Sequence, residues 1–231
     1  MNESKCAAVL LGPPGGGKTT LARTLAARNR ITVVEVGNLL ASEVRLDTPL
    51  GRQIKPYQAA GELVPVEIVR QVVSRKLEKV QGDLVLFDGF PRSVAQIDIL
   101  FQLLKDLHLQ LCAVIVLKLD SQTSVNRLSG RRICSQCGTL HNVYTESGLQ
   151  EESCDSCGGK LIQRQDDRPE IVRERFASYE RETMPVVEFF KREMRDLTWE
   201  QQAALPPEEV AERVWHRLEE NVPSLGREQD K

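Results

Sequence analysis

The stretch Gly12-Pro13-Pro14-Gly15-Gly16-Gly17-Lys18-Thr19-Thr20 decides how this chain is read. A short apolar run, residues 6–11, precedes it, and Lys18–Arg28 after it has the composition of an amphipathic helix. Strand, glycine loop and helix in that order are the context in which Gly-x4-Gly-Lys-Thr becomes a phosphate-binding loop. Glycines let the backbone wrap closely around an anion. A row of N–H groups and the positive end of the helix then face the phosphates, with Lys18 reaching the outer two. Thr19 stands at the pattern position for Mg2+, Thr20 also opens the helix, and the sequence does not rank them. The bland alternative is a glycine-rich turn with an incidental lysine.

The 231 residues are 41% hydrophobic, enough for one globular unit with a real core and small insertions. A formal charge of −2 argues against the basic footprint that nucleic acid or an anionic membrane selects. The first residues, MNESKCAAVLLGPPGG, carry mixed charge and run straight into the glycine loop, which reads as a buried strand rather than a signal peptide. No apolar run approaches the roughly 20 residues needed to span a bilayer. The expectation is a cytoplasmic protein whose six cysteines are thiols or metal ligands rather than disulfides.

Further apolar, β-branched runs at 31–36, 84–87 and 111–119 alternate with helical patterns such as 66–80 and 93–107. Strands that are apolar throughout and alternate with helices imply a parallel sheet covered on both faces. Residues 133–162 break the rhythm and read as an inserted module rich in Gly, Ser and Cys. Residues 168–195 are helical in pattern with a kink or interruption expected at Pro185. A weak strand at 197–199, a helix over 206–218 and a frayed tail close the chain.

In Phe87-Asp88-Gly89-Phe90-Pro91-Arg92, Asp88 ends an apolar strand, so its carboxylate emerges near the phosphate loop, where it can organise the waters around Mg2+. Gly89 permits a tight turn, Pro91 directs Arg92, and the guanidinium fork of Arg92 suits phosphate. An ordinary turn with a surface Asp and Arg is the alternative. Cys134-x2-Cys137 and Cys154-x2-Cys157, sixteen residues apart, fit two knuckles closing a tetrahedral thiolate site. Four ligands leave no open position, so the metal, zinc or iron, is expected to be structural. Cys6 and Cys112 read as buried core thiols, and His141 as a surface residue between the knuckles.

Taken together, GPPGGGKTT, AAGELVP, LFDGFPRSVAQ, GRRICSQCG and CDSCGGKLIQRQDDRPEIVRERFASY resemble, in order and spacing, the adenylate kinases among the nucleoside monophosphate kinases. The resemblance covers nearly the whole chain. It implies reversible phosphoryl transfer from Mg-ATP to a nucleoside monophosphate, commonly ATP + AMP to two ADP. It also implies an α/β, three-layer P-loop fold with a central parallel sheet, in a monomer. On this reading residues 1–35, 67–130 and 166–231 form the core, 36–66 an inserted helical segment for the monophosphate, and 131–165 a zinc-binding lid. Gly15, Gly16, Gly17, Lys18, Thr19, Thr20, Arg127 and Arg131 are implied to meet ATP, with Asp88 organising magnesium. Arg92 would hold the acceptor phosphate, and Arg131, Arg164 and Arg175 would surround the transferring group. Gly37, Ala41, Glu62, Leu63, Val64, Gly89 and Gln96 would line the acceptor site with Arg92, Arg164 and Arg175, Gln96 reading the base. Asp166 and Asp167 match a hinge pair. The chemistry is coherent in itself, since a metaphosphate-like transition state asks for positioning and positive charge rather than a protein nucleophile.

The pattern fails at the acceptor end. The family's Thr-Gly-Asp-x-Leu-Arg reads Val36-Gly37-Asn38-Leu39-Leu40-Ala41 here, removing the base-contacting threonine and a phosphate-contacting arginine, and Val66 replaces a usual aspartate. Arg45, one turn further on, is a candidate substitute. The expectation is adenylate kinase activity with a raised acceptor KM. A different acceptor preference, or a nucleotide sensor without turnover, are the alternatives.

Overall fold

The computed structural model describes residues 5–28, 31–60, 62–77, 83–144, 153–163, 167–222 and 225. A five-stranded sheet, every strand parallel to its neighbours, runs β2 (Ile31–Glu35), β3 (Leu84–Asp88), β1 (Lys5–Leu11), β4 (Leu109–Lys118), β8 (Thr198–Gln202). In β1 every second side chain feeds one core and the rest feed the other. Ala7, Val9 and Leu11 meet α4 (Val66–Leu77), α5 (Ala95–Asp106) and α8 (Met184–Glu193), while Ala8 and Leu10 meet α1 (Lys18–Arg28) and α9 (Pro207–Asn221). The all-apolar strands are thereby explained: both faces are covered, and no position is left to alternate with water.

The two crossovers from the middle of the sheet leave in opposite directions, β1 towards β3 and β2 and then back over to β4. A crevice opens at such a reversal, beyond the carboxyl ends of the strands. The segment between β2 and α4 folds into α2 (Val36–Arg45) and α3 (Pro49–Ala60) and forms one wall of that crevice. Val36 is the first residue of α2 rather than the last of the strand expected over 31–36, and its side chain is buried in the core. After β4, α6 (Ser121–Ser129) leads into a separate antiparallel sheet, β6 (Leu140–Asn142), β5 (Arg131–Cys134), β7 (Leu161–Ile162). Chain returns through α7 (Pro169–Ser178) to the core.

The long helical pattern after residue 168 is divided by a π-helical turn, Tyr179–Thr183. Pro185 accounts for its place. Proline has no N–H to donate to the carbonyl four residues back and its ring crowds that carbonyl, so the preceding turn widens and Pro185 becomes part of the first turn of α8.

The expectation for two cysteines is corrected. Cys6 and Cys112 are joined by a disulfide, not buried as free thiols. Ala7 pairs with Leu111 and Ala8 with Ala113, so Cys112 is an extra residue in β4. The bulge switches the faces of β4: Leu111 belongs to the same core as Val114 and Val116, whereas Ala113, Ile115 and Leu117 belong to the other. Composition cannot reveal a bulge, and the bulge lies beside the Cys6 position of the neighbouring strand. Alkylation of denatured, unreduced, chelator-treated protein is therefore expected to label four of the six cysteines. Labelling of all of them would show that the pair is reduced in solution.

Candidate active site

A cavity of about 1100 Å³ fills the crevice. Its lining brings together the glycine loop, the carboxyl ends of β2 and β3, one face each of α2 and α3, and residues of α6 and α7. Among the described residues, seven Lys or Arg side chains line it against three carboxylates, in a chain whose overall charge is −2. So local a surplus selects an anion of several charges.

Lys18 Nζ donates to the carbonyls of Gly12 at 2.7 Å and Pro13 at 2.8 Å, folded over its own loop. Desolvation there pushes its pKa down to about 7; Asp88 opposes the shift, and Arg92, Arg175 and Arg131 add to it. A polyphosphate entering the loop would restore the charged form. Thr19 Oγ1 donates to Asp88 Oδ2 at 2.5 Å, whereas Thr20 faces the cavity from an exposed position. The two threonines that the sequence could not rank are thus distinguished: the hydroxyl beside the strand-end carboxylate is that of Thr19. Glu35 ends β2 opposite Asp88 in register and is held by Arg23 at 2.9 and 3.1 Å.

Arg92 is fixed along its length. Its N–H donates to Gln96 Oε1 at 2.7 Å, its carbonyl accepts from Thr183 Oγ1 at 2.8 Å, and its Nε donates to the Gly89 carbonyl at 2.8 Å. The guanidinium lies over Gly89 so closely that a Cβ there would be 2.7 Å from Nη2, and Gly89 has φ +69°. The positive φ calls for glycine here, and a Cβ would in addition push the guanidinium from its place.

On the opposite side, Asp167 is completely buried between Arg131 and Arg175. It accepts from Arg131 Nε at 2.7 Å and Nη2 at 2.5 Å, and from Arg175 Nη1 at 3.5 Å. Arg127 lines the same wall. Arg164, Asp166 and Gly61 lie outside the described residues.

Of the expected acceptor residues, Gly37, Ala41, Glu62, Leu63, Gly89, Arg92 and Arg175 line the cavity. Val64 and Gln96 are buried and are not in the lining; Gln96 lies under Arg92 instead. Arg45 is exposed, bonded to Ser42 Oγ at 3.3 Å, and does not reach the cavity. Sequence reasoning missed Lys55 and Gln58 on α3, Arg168 at the start of α7, and Tyr179 and Thr183 in the π turn. Positions 55 and 58 are one helical turn apart on a face that is polar, so no apolar stripe marked them.

The four knuckle sulfurs lie within 4.8 Å of one another, with Cys134 to Cys157 at 3.5 Å and Cys137 to Cys154 at 3.7 Å. A tetrahedral ion with metal–sulfur bonds of about 2.3 Å would hold its ligands about 3.8 Å apart, so this donor set fits zinc. Gly138 and Gly158 have φ near +70°, at +73° and +71°, and close each turn by donating to the carbonyl of the first cysteine. The hydroxyl of Thr139 and its N–H, bonded to the Cys137 sulfur, hold that thiol down to about 6, favouring the ligating thiolate. His141 is corrected: it is buried, with Nε2 3.3 Å from Cys154 Sγ, and is part of the cluster's wall.

Replacing Asp167 by Asn would leave two arginines without their carboxylate. A loss of about 1.5–3 kcal/mol is expected, read from the urea midpoint of unfolding. An unchanged midpoint would mean that the ion pairs contribute nothing to the fold.

Comparison with known proteins agrees with this geometry. The family model described as adenylate kinase matches residues 10–195. The chain is 40% identical over 192 residues to "Adenylate kinase" of Syntrophotalea carbinolica, covering 82% of this chain and 89% of the relative. It is 42% identical over 183 residues to "Adenylate kinase" of Salinispora tropica, covering 79% and 84%. "Adenylate kinase" of Pyrococcus abyssi is 37% identical over 185 residues, covering 80% and 84%. With the phosphate loop, the strand-end aspartate and the arginines gathered around one cavity, the chain belongs to the adenylate kinase family.

Proposed function

We propose that the chain transfers the γ-phosphoryl group of Mg-ATP reversibly to AMP, giving two ADP, with AMP bound more weakly than an intact acceptor site would bind it. The supporting observation is the concentration of cations around one anion-sized space flanked by Asp88 and Thr19. The loop N–H groups and Lys18 cradle the β- and γ-phosphates, and Arg127 and Arg131 approach ATP from the α6 side. Thr19 and Asp88 would hold the Mg2+ that arrives with ATP, and the ion would offset negative charge on the phosphates. Arg92 holds the acceptor phosphate in line with the donor. Arg131, Arg164 and Arg175 stabilise charge on the group in flight, and no protein nucleophile is needed. Residues 131–165 act as a lid that excludes water, so that transfer outruns hydrolysis.

Zinc in the four-cysteine site is structural on this reading, because four thiolates fill its coordination sphere. Its verified removal by a chelator is expected to lower the thermal midpoint while ATP still binds the core; an unchanged midpoint would contradict a structural role.

Ala41 lies on the α2 wall one helical turn beyond Gly37, whose Cβ position is 3.8 Å from Arg92 Nη2. An arginine at 41 would therefore join Arg92 at the acceptor phosphate, and its absence is the reason for expecting a high AMP KM. Val36 is taken up by the core and offers no group to the base. Steady-state transfer from Mg-ATP to AMP, GMP, CMP, UMP and dAMP tests the reading. AMP is expected to be the best acceptor, and Ala41→Arg to lower its KM by about tenfold with little change in the KM for ATP. Preference for another base would make Val36 a specificity change. Failure with every acceptor despite ATP binding would favour a nucleotide sensor.

A further inference from the structure

We infer that the π-helical turn Tyr179–Thr183 is a positioning device for Arg92, and that Thr183 is the residue through which it acts. This rests on Arg92 holding the acceptor phosphate, and it adds a residue outside the phosphate contacts to that function.

The argument begins with helical register. Arg168, Ile171 and Arg175 face the cavity from α7 at spacings of one helical turn. Seven residues after Arg175, an uninterrupted α-helix would bring Glu182 onto that face. The π turn adds a residue: the Met184 N–H donates to the Tyr179 carbonyl, five back, and the face is taken by Thr183. A carboxylate beside the phosphate-binding arginine would compete with the phosphate for it. The widened turn replaces that group with a neutral hydroxyl.

Thr183 is 5% exposed, and its hydroxyl donates to the Arg92 carbonyl at 2.8 Å across 91 residues of sequence. The Arg92 N–H is held from α5 by Gln96, and its Nε is held by the Gly89 carbonyl. The backbone of Arg92 is thus pinned on one side by α5 and on the other by the helical rod that also carries Arg175, eight residues before Thr183. The Thr183 contact fixes the separation between Arg175 and Arg92, the two cations that must flank the phosphoryl group and its acceptor. Cationic groups repel one another when no anion lies between them, so a neutral tether does work here that an ion pair would do only by neutralising one of them.

Thr183→Val removes the hydroxyl and keeps the shape. It is expected to raise the acceptor KM by about threefold to tenfold and leave the KM for ATP within about twofold. Thr183→Ser, which keeps the hydroxyl, should return the acceptor KM towards that of the parent. In an Arg92→Ala background, Thr183→Val should add nothing further, since it acts through the lost side chain. If Thr183→Val does not fold, Thr183→Ala is read the same way. Equal shifts in both KM values, no kinetic change, or full additivity with Arg92→Ala would each overturn the inference and leave Thr183 as an ordinary core contact. A parent enzyme that transfers to no monophosphate would overturn the acceptor reading itself, and this inference with it.

Discussion

Like charges must be held together in this cavity before any anion arrives. Arg92, Arg131, Arg175 and Lys18 converge on one space, where burial, with smaller contributions from the three arginines, depresses the pKa of Lys18. Two buried carboxylates make the arrangement tolerable. Asp167 binds Arg131 and Arg175 on the α7 side, and Asp88 bonds Thr19 on the loop side while lifting the pKa of Lys18. Neither carboxylate is on the surface, where solvent would screen it. The strand β3 carries Asp88 to the carboxyl end of the sheet, and Asp167 lies two residues before α7 begins at Pro169.

The same electrostatics explains the division of labour between rigid and separate parts. The glycine loop and Asp88 belong to a sheet buried on both faces, which fixes them to one geometry. Arg131 starts the small antiparallel sheet that contains the thiolate cluster, so one of the cations rides on a different body of structure. Too small to bury much apolar surface, that sheet encloses only Cys134, Cys154 and Leu161 among its described residues. A metal held by the four cysteines would supply what a core cannot in a unit of this size.

Much of this was legible in the sequence because each signal had a short-range cause. The glycine loop, the apolar strands and the paired cysteines depend on neighbours within a few residues, and the strand ends at Asp88 placed the carboxylate correctly. What escaped depends on register over longer distances. The β4 bulge that brings Cys112 to Cys6 adds one residue to an apolar run that looks unbroken. The π turn adds one to a helix that looks continuous up to Pro185. His141 is polar and lies between the two knuckles in the sequence, yet it is buried against Cys154. The wall formed by α2 and α3 was half legible: the alanine at position 41 was visible, whereas the orientation of Arg45 away from the cavity and the presence of Lys55 within its lining were not.

A cavity of this charge could serve transfer or hydrolysis, and the account stands on transfer. Phosphorus NMR of the products separates them directly, by following ATP with and without AMP in the presence of Mg2+. The account predicts that ADP forms at twice the rate at which AMP disappears, with no inorganic phosphate beyond the uncatalysed background. Inorganic phosphate released at the same rate whether or not AMP is present would contradict it.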